Sequence, residues 1–191
     1  MRDIDIRRAL RKTILLHENE PDTLIVEELG LCQGIARVDM AVVNGSVHGY
    51  EIKSERDTLT RLPAQTDVYN RALDFVTIVV AQTHADKIRS MVPTWWGIWI
   101  VVQESDGLRF QKKRKPRENP CIDPFALAQL LWREEALQAL ADRDLATGMR
   151  SKTRDELWRR LAELKVEVLG NIVRERLKQR GADWRVVAQP S

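Results

Sequence analysis

The segment Phe75–Ala81, with the sequence FVTIVVA, constrains the fold of this chain more than any other stretch. It is a continuous run of apolar and mostly β-branched residues, which is typical of a β-strand buried on both faces. We therefore expect it to occupy a central position in a sheet. Taken with the helical and strand-like patterns around it, this segment predicts an α/β fold.

The residues before this strand predict a helix, three strands and a second helix. Residues 4–18 carry Ile6, Leu10 and Ile14 near the helical period. Residues 57–72 return to a helical pattern after the strands. Turn signals separate three short β-like runs, which predicts a three-stranded antiparallel meander. The runs are Leu24–Leu29, Ala36–Val43 and Val47–Lys53.

The residues after the central strand predict fewer strands and more helices. A short helix is expected over 84–91 and a further strand over 95–102. Residues 103–120 are polar and basic and contain Pro116 and Pro120, so we interpret them as a linker. From Asp123 onward the pattern is helical. The chain is therefore divided into a core, 1–118, and a helical C-terminal region, 119–191.

Composition and charge limit the classes of function. With 43% apolar and 31% charged residues, the 191-residue chain should fold into a packed core. The net charge of +3 permits a polyanionic partner. Five of the six residues 112–117 are positive, which indicates either a solvated loop or an arm that contacts phosphates.

The sequence also excludes some environments and sites. No apolar run is long enough to span a bilayer and the N-terminus is charged, so we expect a cytoplasmic location and no membrane partner. Cys32 and Cys121 are far apart in sequence and cannot supply a four-thiolate metal site.

The residues that carry chemistry are Asp39 and, after eleven intervening positions, Glu51-Ile52-Lys53. Side chains alternate along a strand, so Glu51 and Lys53 share one face while Ile52 points to the other. Asp39 reaches that face only if the hairpin loop has three residues, 44–46, or contains a bulge. The three-residue loop pairs Met40 with Tyr50.

Two adjacent carboxylates repel each other unless a hard divalent cation lies between them. Mg²⁺ (or Mn²⁺) fits this demand, with Asp39, Glu51 and the backbone carbonyl of Ile52 as ligands. Lys53 would then orient the attacking water or stabilise the transition state of phosphodiester hydrolysis.

This stretch resembles the PD-(D/E)XK nuclease superfamily, and Gln65 and Tyr69, four positions apart, are similar to the QxxxY pair of its RecB-like branch. The string GYEIKSERDTLTRLPAQTDVY also looks like a small family of largely uncharacterised bacterial proteins placed in that superfamily. The resemblance covers about residues 5–102 and implies a restriction-endonuclease-like core. Val38 stands where the motif has proline.

The resemblance assigns roles to individual residues. Asp39 and Glu51 would be metal ligands, Lys53 the catalytic lysine, and Gln65 and Tyr69 substrate-positioning residues. Glu28 is preferred as a further acidic ligand. Its competitors in the sequence are Glu27, Glu20 and Glu18.

Several basic residues are candidates for nucleic-acid contact. They are Arg56, Arg61, Lys112, Lys113, Arg114 and Lys115. Residues 136–164 also resemble small helix-extended-helix DNA-binding modules, although a packed helix pair with a solvated basic rim fits the pattern equally well. The basic residues of that segment are Arg150, Lys152, Arg154, Arg159 and Arg160.

Three hypotheses follow from the sequence. The first is a magnesium-dependent deoxyribonuclease in repair, recombination or defence, acting alone, as a homodimer or with a protein partner. The second is a catalytically silent nucleic-acid-binding module that keeps the fold. The third is an adaptor in which the triad is accidental and the tail binds another protein.

Overall fold

A computed structural model describes residues 2–17, 22–105 and 107–181. Within these ranges, six strands form one sheet in sequence order: β1 (Leu24–Leu31), β2 (Ala36–Val43), β3 (Val47–Lys53), β4 (Phe75–Ala81), β5 (Gly97–Glu104) and β6 (Gly107–Arg114). Strands β1, β2 and β3 are antiparallel, β3, β4 and β5 are parallel, and β6 returns antiparallel to β5. The meander and the interior position of β4 are as expected.

The described helices are distributed unequally over the two faces of the sheet. They are α1 (Asp3–His17), α2 (Leu62–Ala72), α3 (Ala85–Met91), α4 (Pro124–Ala128), α5 (Arg133–Ala141), α6 (Arg154–Leu161) and α7 (Val166–Arg180). One face packs against α2 and the C-terminal helices. The other packs against Ile6, Leu10 and Ile14 of α1, the only described helix that contributes to that apolar cluster.

The hairpin between β2 and β3 has the predicted three-residue loop. Val43 pairs with Val47 and Met40 with Tyr50, and the N–H of Asn44 donates to the carbonyl of Ser46. This register confirms the three-residue loop, which was expected because it brings Asp39 to the same face as Glu51. It also confirms the opposite orientations of Ile52, which packs against α1, and its neighbours Glu51 and Lys53.

Two sequence predictions about the elements were wrong. The proposed linker 103–120 contains the edge strand β6, which pairs with β5 and whose Phe110 packs near Trp99. The sequence pattern did not indicate β6, because an edge strand buries little of its surface and can therefore carry polar side chains. Helix α2 begins at Leu62 rather than near 57, with Pro63 in its first turn, where proline is tolerated.

The apolar core crosses the predicted boundary between 118 and 119. Leu29 and Tyr69 of the first region belong to the same buried cluster as Leu127 and Trp158 of the second. The Trp158 indole N–H donates to the Leu131 carbonyl. The boundary itself stays a prediction.

Within the described residues, no helix is long and apolar enough to cross a membrane.

Candidate functional site

The hairpin brings the two predicted carboxylates next to each other. Met40 and Tyr50 are the last paired residues of β2 and β3, and Asp39 lies one position beyond this pair. There, Asp39 Oδ2 accepts a hydrogen bond of 2.8 Å from the Ile52 N–H. The side chain of Asp39 thus replaces a ladder hydrogen bond and is held beside Glu51.

Glu51 is the centre of a buried polar network. Its side chain is 2% exposed and that of Lys53 is 7% exposed. Lys53 Nζ donates to Glu51 Oε1 at 2.7 Å, and Gln65 Nε2 donates to the same oxygen at 2.7 Å. The Tyr69 hydroxyl lies 2.6 Å from Glu51 Oε2. A carboxylate buried this deeply is stable only because it is paired and hydrogen-bonded.

Helix α2 delivers both Gln65 and Tyr69 because residues four apart lie on one helix face. The Gln65 oxygen also accepts from Lys53 Nζ at 3.0 Å, which closes a ring of Glu51, Lys53 and Gln65. Burial and the Glu51 carboxylate raise the pKa of Tyr69, so its phenol stays protonated. The hydroxyl also lies 2.8 Å from the Arg37 carbonyl oxygen, and this contact joins α2 to β2.

Asp39 is paired with a cation that belongs to the protein. Arg7 of α1 donates to Asp39 Oδ1 at 2.9 Å and to the Asp39 carbonyl at 2.8 Å. Burial, followed by the Glu51 charge, raises the pKa of Asp39 to about 7, while the Ile52 N–H and Arg7 act in the opposite direction. Arg7 therefore supplies charge at the place where the sequence predicted a metal.

Sequence reasoning did not single out Arg7, although a signal existed. Positions 7, 10 and 14 have helical spacing, so Arg7 lies on the stripe that also carries Leu10 and Ile14. A charged residue on the apolar stripe of a helix needs a buried partner. The sequence alone does not say which carboxylate that partner is.

Glu28, the preferred further acidic ligand, lies beside this network and is paired with arginines. Its Oε2 accepts from Arg37 at 3.1 Å and its Oε1 lies 4.0 Å from Arg7. Its backbone has a φ of +52°, which is uncommon for a residue other than glycine. Glu27 pairs with Arg11. The competing Glu18 and Glu20 lie outside the described residues.

In this arrangement the two carboxylates are paired with cations of the protein, Arg7 and Lys53. Every carboxylate oxygen of Asp39 and Glu51 already accepts a hydrogen bond from a side chain or a backbone N–H. Among the described residues no group of three or more His, Cys, Asp or Glu side chains is placed to hold a metal. Binding of Mg²⁺ or Mn²⁺ therefore stays a prediction that requires Arg7 or Lys53 to move.

The topology separates the candidate nucleic-acid contacts into two groups. Arg56 and Arg61 are exposed between β3 and α2, at the carboxyl ends of the parallel strands. Because β6 runs antiparallel to β5, residues 112–115 lie toward the opposite end of the sheet.

The residues of the second group have different environments. Lys112 lies over the Trp99 ring at 4.7 Å, and Lys113 and Lys115 are exposed. Arg114 is half-buried and donates to the carbonyls of Trp96 and Pro93, so it serves the structure of this edge.

Most of the basic residues in the C-terminal helices form ion pairs on the surface. Lys152 pairs with Glu156, Arg159 with Asp155 and Arg160 with Glu163. Arg154 differs from them. It donates to Gln33 and lies over the Trp158 ring, and it forms no ion pair with a described residue.

Comparison with known proteins relates the chain to a phage family. The family model described as bacteriophage P4 protein cII matches residues 3–185. "Protein cII" of Enterobacteria phage P4 is 26% identical over 135 residues, which are 71% of this chain and 51% of that protein. The chain thus spans about half the length of this curated relative. No solved structure was found to match the chain.

These matches overturn the nuclease interpretation. No nuclease family matches the chain, so its assignment to the PD-(D/E)XK superfamily was wrong, and with it the assignment as a magnesium-dependent phosphodiester hydrolase. The triad misled because Asp39, Glu51 and Lys53 occur at the expected spacing while serving as partners in internal ion pairs. The family match spans nearly all of the chain, which therefore belongs to the bacteriophage P4 protein cII family.

Proposed function

We propose that this protein is a non-catalytic module that binds DNA. The observation that carries the proposal is a pair of arginines, Arg56 and Arg61, in the loop that joins β3 to α2. Both are exposed, and neither forms an ion pair with any residue in the described part of the chain. Such arginines bind phosphate through bidentate hydrogen bonds and gain affinity by releasing counterions from nucleic acid.

The neighbouring network supports binding without catalysis. Lys53 and Glu51 neutralise each other, and the phenol of Tyr69 and the amide of Gln65 are used to hold Glu51. A reacting group must be able to exchange its hydrogen bonds with a substrate. In this network the same side chains instead fix α2 against β3, which sets the position of the loop carrying Arg56 and Arg61.

The test is a binding titration with fluorescently labelled single-stranded DNA, duplex DNA and single-stranded RNA. We expect Arg56→Ala/Arg61→Ala to weaken DNA binding about tenfold or more and to lower the slope of log K against log salt by about two, one per lost phosphate contact. DNA recovered after incubation with Mg²⁺ should be uncut. The matched control is Lys152→Ala/Arg159→Ala, which removes the same charge from residues already paired with carboxylates.

The triple variant Lys112→Ala/Lys113→Ala/Lys115→Ala tests the other end of the sheet. If it abolishes DNA binding and Arg56→Ala/Arg61→Ala does not, the binding surface is the β6 edge and the loop assignment is wrong. If no nucleic acid binds to the wild type, the proposal fails as a whole.

A protein partner or a second copy of the chain is the second candidate. Ile4 and Leu15 of α1 are 51% and 55% exposed, and their spacing of eleven residues places them on one side of the helix. Burial of these two side chains against another protein would remove apolar surface from water, which favours association. Failure to bind any nucleic acid would favour this adaptor function.

For the fold, we propose that the elements from α1 to β5 form a restriction-endonuclease-like core that lacks nuclease activity.

Binding of Mg²⁺ is a separate prediction, which the Arg7 contact makes testable. Removal of the guanidinium in Arg7→Ala leaves Asp39 beside Glu51 without its cation. We expect Mg²⁺ to raise the melting temperature of Arg7→Ala more than that of the wild type, because a ligand that binds only the folded state stabilises it more at a given concentration when its affinity is higher. The control is Arg7→Ala/Asp39→Asn. An equal Mg²⁺ effect in all three proteins would contradict a site at Asp39.

A further inference from the structure

A cleft of about 370 Å³ lies next to the polar network and is not used by it. One wall is the end of the β1–β2 hairpin, including Glu28, Gly30 and Arg37, and the other is formed by α6, α7 and the residues before α5, including Trp132 and Arg154. Three guanidinium groups line this arginine cleft, those of Arg37, Arg154 and Arg180. Its volume is within the range of small-ligand pockets.

The arginines of the cleft differ in how firmly they are held. Arg180 is fixed by a partly buried ion pair with Glu135 and a hydrogen bond of 2.7 Å to the Leu130 carbonyl, and it lies over the Trp132 ring at 4.3 Å. Arg154 donates to the side-chain oxygen of Gln33 at 2.8 Å and forms no ion pair among the residues described. A fixed cation therefore orients Trp132, while Arg154 keeps an uncompensated charge.

Arg37 can exchange its Glu28 partner for a ligand with little loss of stability. Its ion pair with Glu28 is exposed on both sides, and exposed pairs contribute about 0 to 1 kcal/mol. Phosphate competes well for such a guanidinium because its planar fork matches two phosphate oxygens. Arg37 and Arg154 thus place two available guanidinium groups on opposite walls of one cleft.

The backbone of the hairpin wall is open to a ligand. A Cβ added to Gly30 or Gly34 would meet no atom within 4 Å, so both glycines border empty space. Gln33, between them, has a φ of +58°, and its neighbour Cys32 has a φ of +48°. Strained backbone of this kind clusters at binding sites, where the surrounding structure holds it in place.

We propose that the arginine cleft binds a phosphorylated nucleoside, either free or as one unit of a nucleic-acid strand. Arg37 and Arg154 contact its phosphate, the half-buried Trp132 offers its ring to the base, and the amides of Gln33 and Gln129 lie within the same cleft to hydrogen-bond the base edge. Where the ligand is a strand, this inference rests on the proposed DNA binding and adds the single nucleotide that the cleft selects.

The experiment measures binding of two probes, AMP and a labelled single-stranded DNA decamer, to full-length variants. Arg154→Ala and Trp132→Ala should each weaken binding of at least one probe about ten- to hundredfold, the range for a lost charge-assisted hydrogen bond or a lost base stack. Trp132→Phe should restore most of the affinity because a phenyl ring still stacks. The matched control is Arg159→Ala, on the same helix as Arg154 but paired with Asp155 and outside the cleft.

The outcomes separate this inference from the proposed function. If the decamer binds equally well to wild type, Arg154→Ala and Trp132→Ala, and AMP binds to none of them, the cleft assignment is overturned and DNA binding stands. If only AMP binds and Arg154→Ala abolishes it, the cleft is supported as a free-nucleotide site, and DNA binding is overturned only if duplex DNA also fails to bind the wild type. If neither probe binds the wild type, the cleft assignment is overturned, and DNA binding is overturned with it if duplex DNA also fails to bind.

Discussion

Replacing Lys53 with methionine should destabilise the protein by about 3 to 5 kcal/mol, because the change leaves the buried Glu51 carboxylate without its counter-charge. The side chains of this pair are 7% and 2% exposed and lie 2.7 Å apart. Methionine has a similar length, so the loss comes from the charge and its hydrogen bonds and not from an empty volume. Urea unfolding at neutral pH measures the free energy of unfolding directly.

The double variant Glu51→Gln/Lys53→Met is the informative companion. It removes both charges, while the glutamine amide oxygen can still accept a hydrogen bond from Tyr69 or Gln65. We expect it to recover most of the lost stability, since replacing a whole buried pair is often close to neutral. Lys152→Met, in an exposed pair with Glu156, is the control and should unfold at nearly the same urea concentration as the wild type. A Lys53→Met variant as stable as this control would show that Glu51 does not depend on Lys53.

The second large effect concerns pH and Asp39. The pKa of this carboxyl is about 7 in the folded protein and 3.8 ordinarily, so the folded state holds the proton more tightly. Its contribution to stability is therefore complete below about pH 4 and is lost as the pH rises through 7. At about 1.4 kcal/mol per pKa unit, the loss is on the order of a few kcal/mol.

This effect must be measured as a difference, because His48 acts in the opposite direction. Burial lowers the pKa of His48 to about 3, so its unfolded-state protonation destabilises the protein as the pH falls below about 6.5. Asp39→Asn keeps an oxygen for the Ile52 N–H and removes the titration, while the His48 contribution is common to both proteins. Between pH 4 and 8 the stability of Asp39→Asn should rise relative to that of the wild type. A constant difference would mean that the pKa of Asp39 is not raised.

The elements that bury many residues could be predicted from the sequence, and those that bury few could not. The central strand β4 is apolar at nearly every position, so its pattern alone identifies it. Strand β6 alternates weakly, carries Lys112 and Lys113 together and contains an irregularity opposite Ile98 and Trp99. Its pairing depends on β5 more than on its own residues, so local pattern gave no sign of it.

Part of the candidate site could also be predicted from the sequence, and part of it could not. The hairpin register follows from counting residues, so the proximity of Asp39 and Glu51 could be predicted from the required turn. The position of Arg7 depends on how α1 docks on the sheet, a long-range packing event that no spacing encodes. The function inferred from the triad was wrong because the same residue types can bind an ion or bind one another, and the choice depends on neighbours distant in sequence.

The docking of α1 has a consequence for how the molecule opens. Ile6, Leu10 and Ile14 shield one sheet face, and Arg7 on the same helix neutralises Asp39. Release of this helix as one cooperative unit would therefore expose the apolar sheet face and leave the Asp39 carboxylate without its Arg7 partner at the same time. The amide hydrogens of α1 and of Ile52 should then exchange through a single opening event. Molecules in this open state would associate through the exposed apolar face and would repel polyanions.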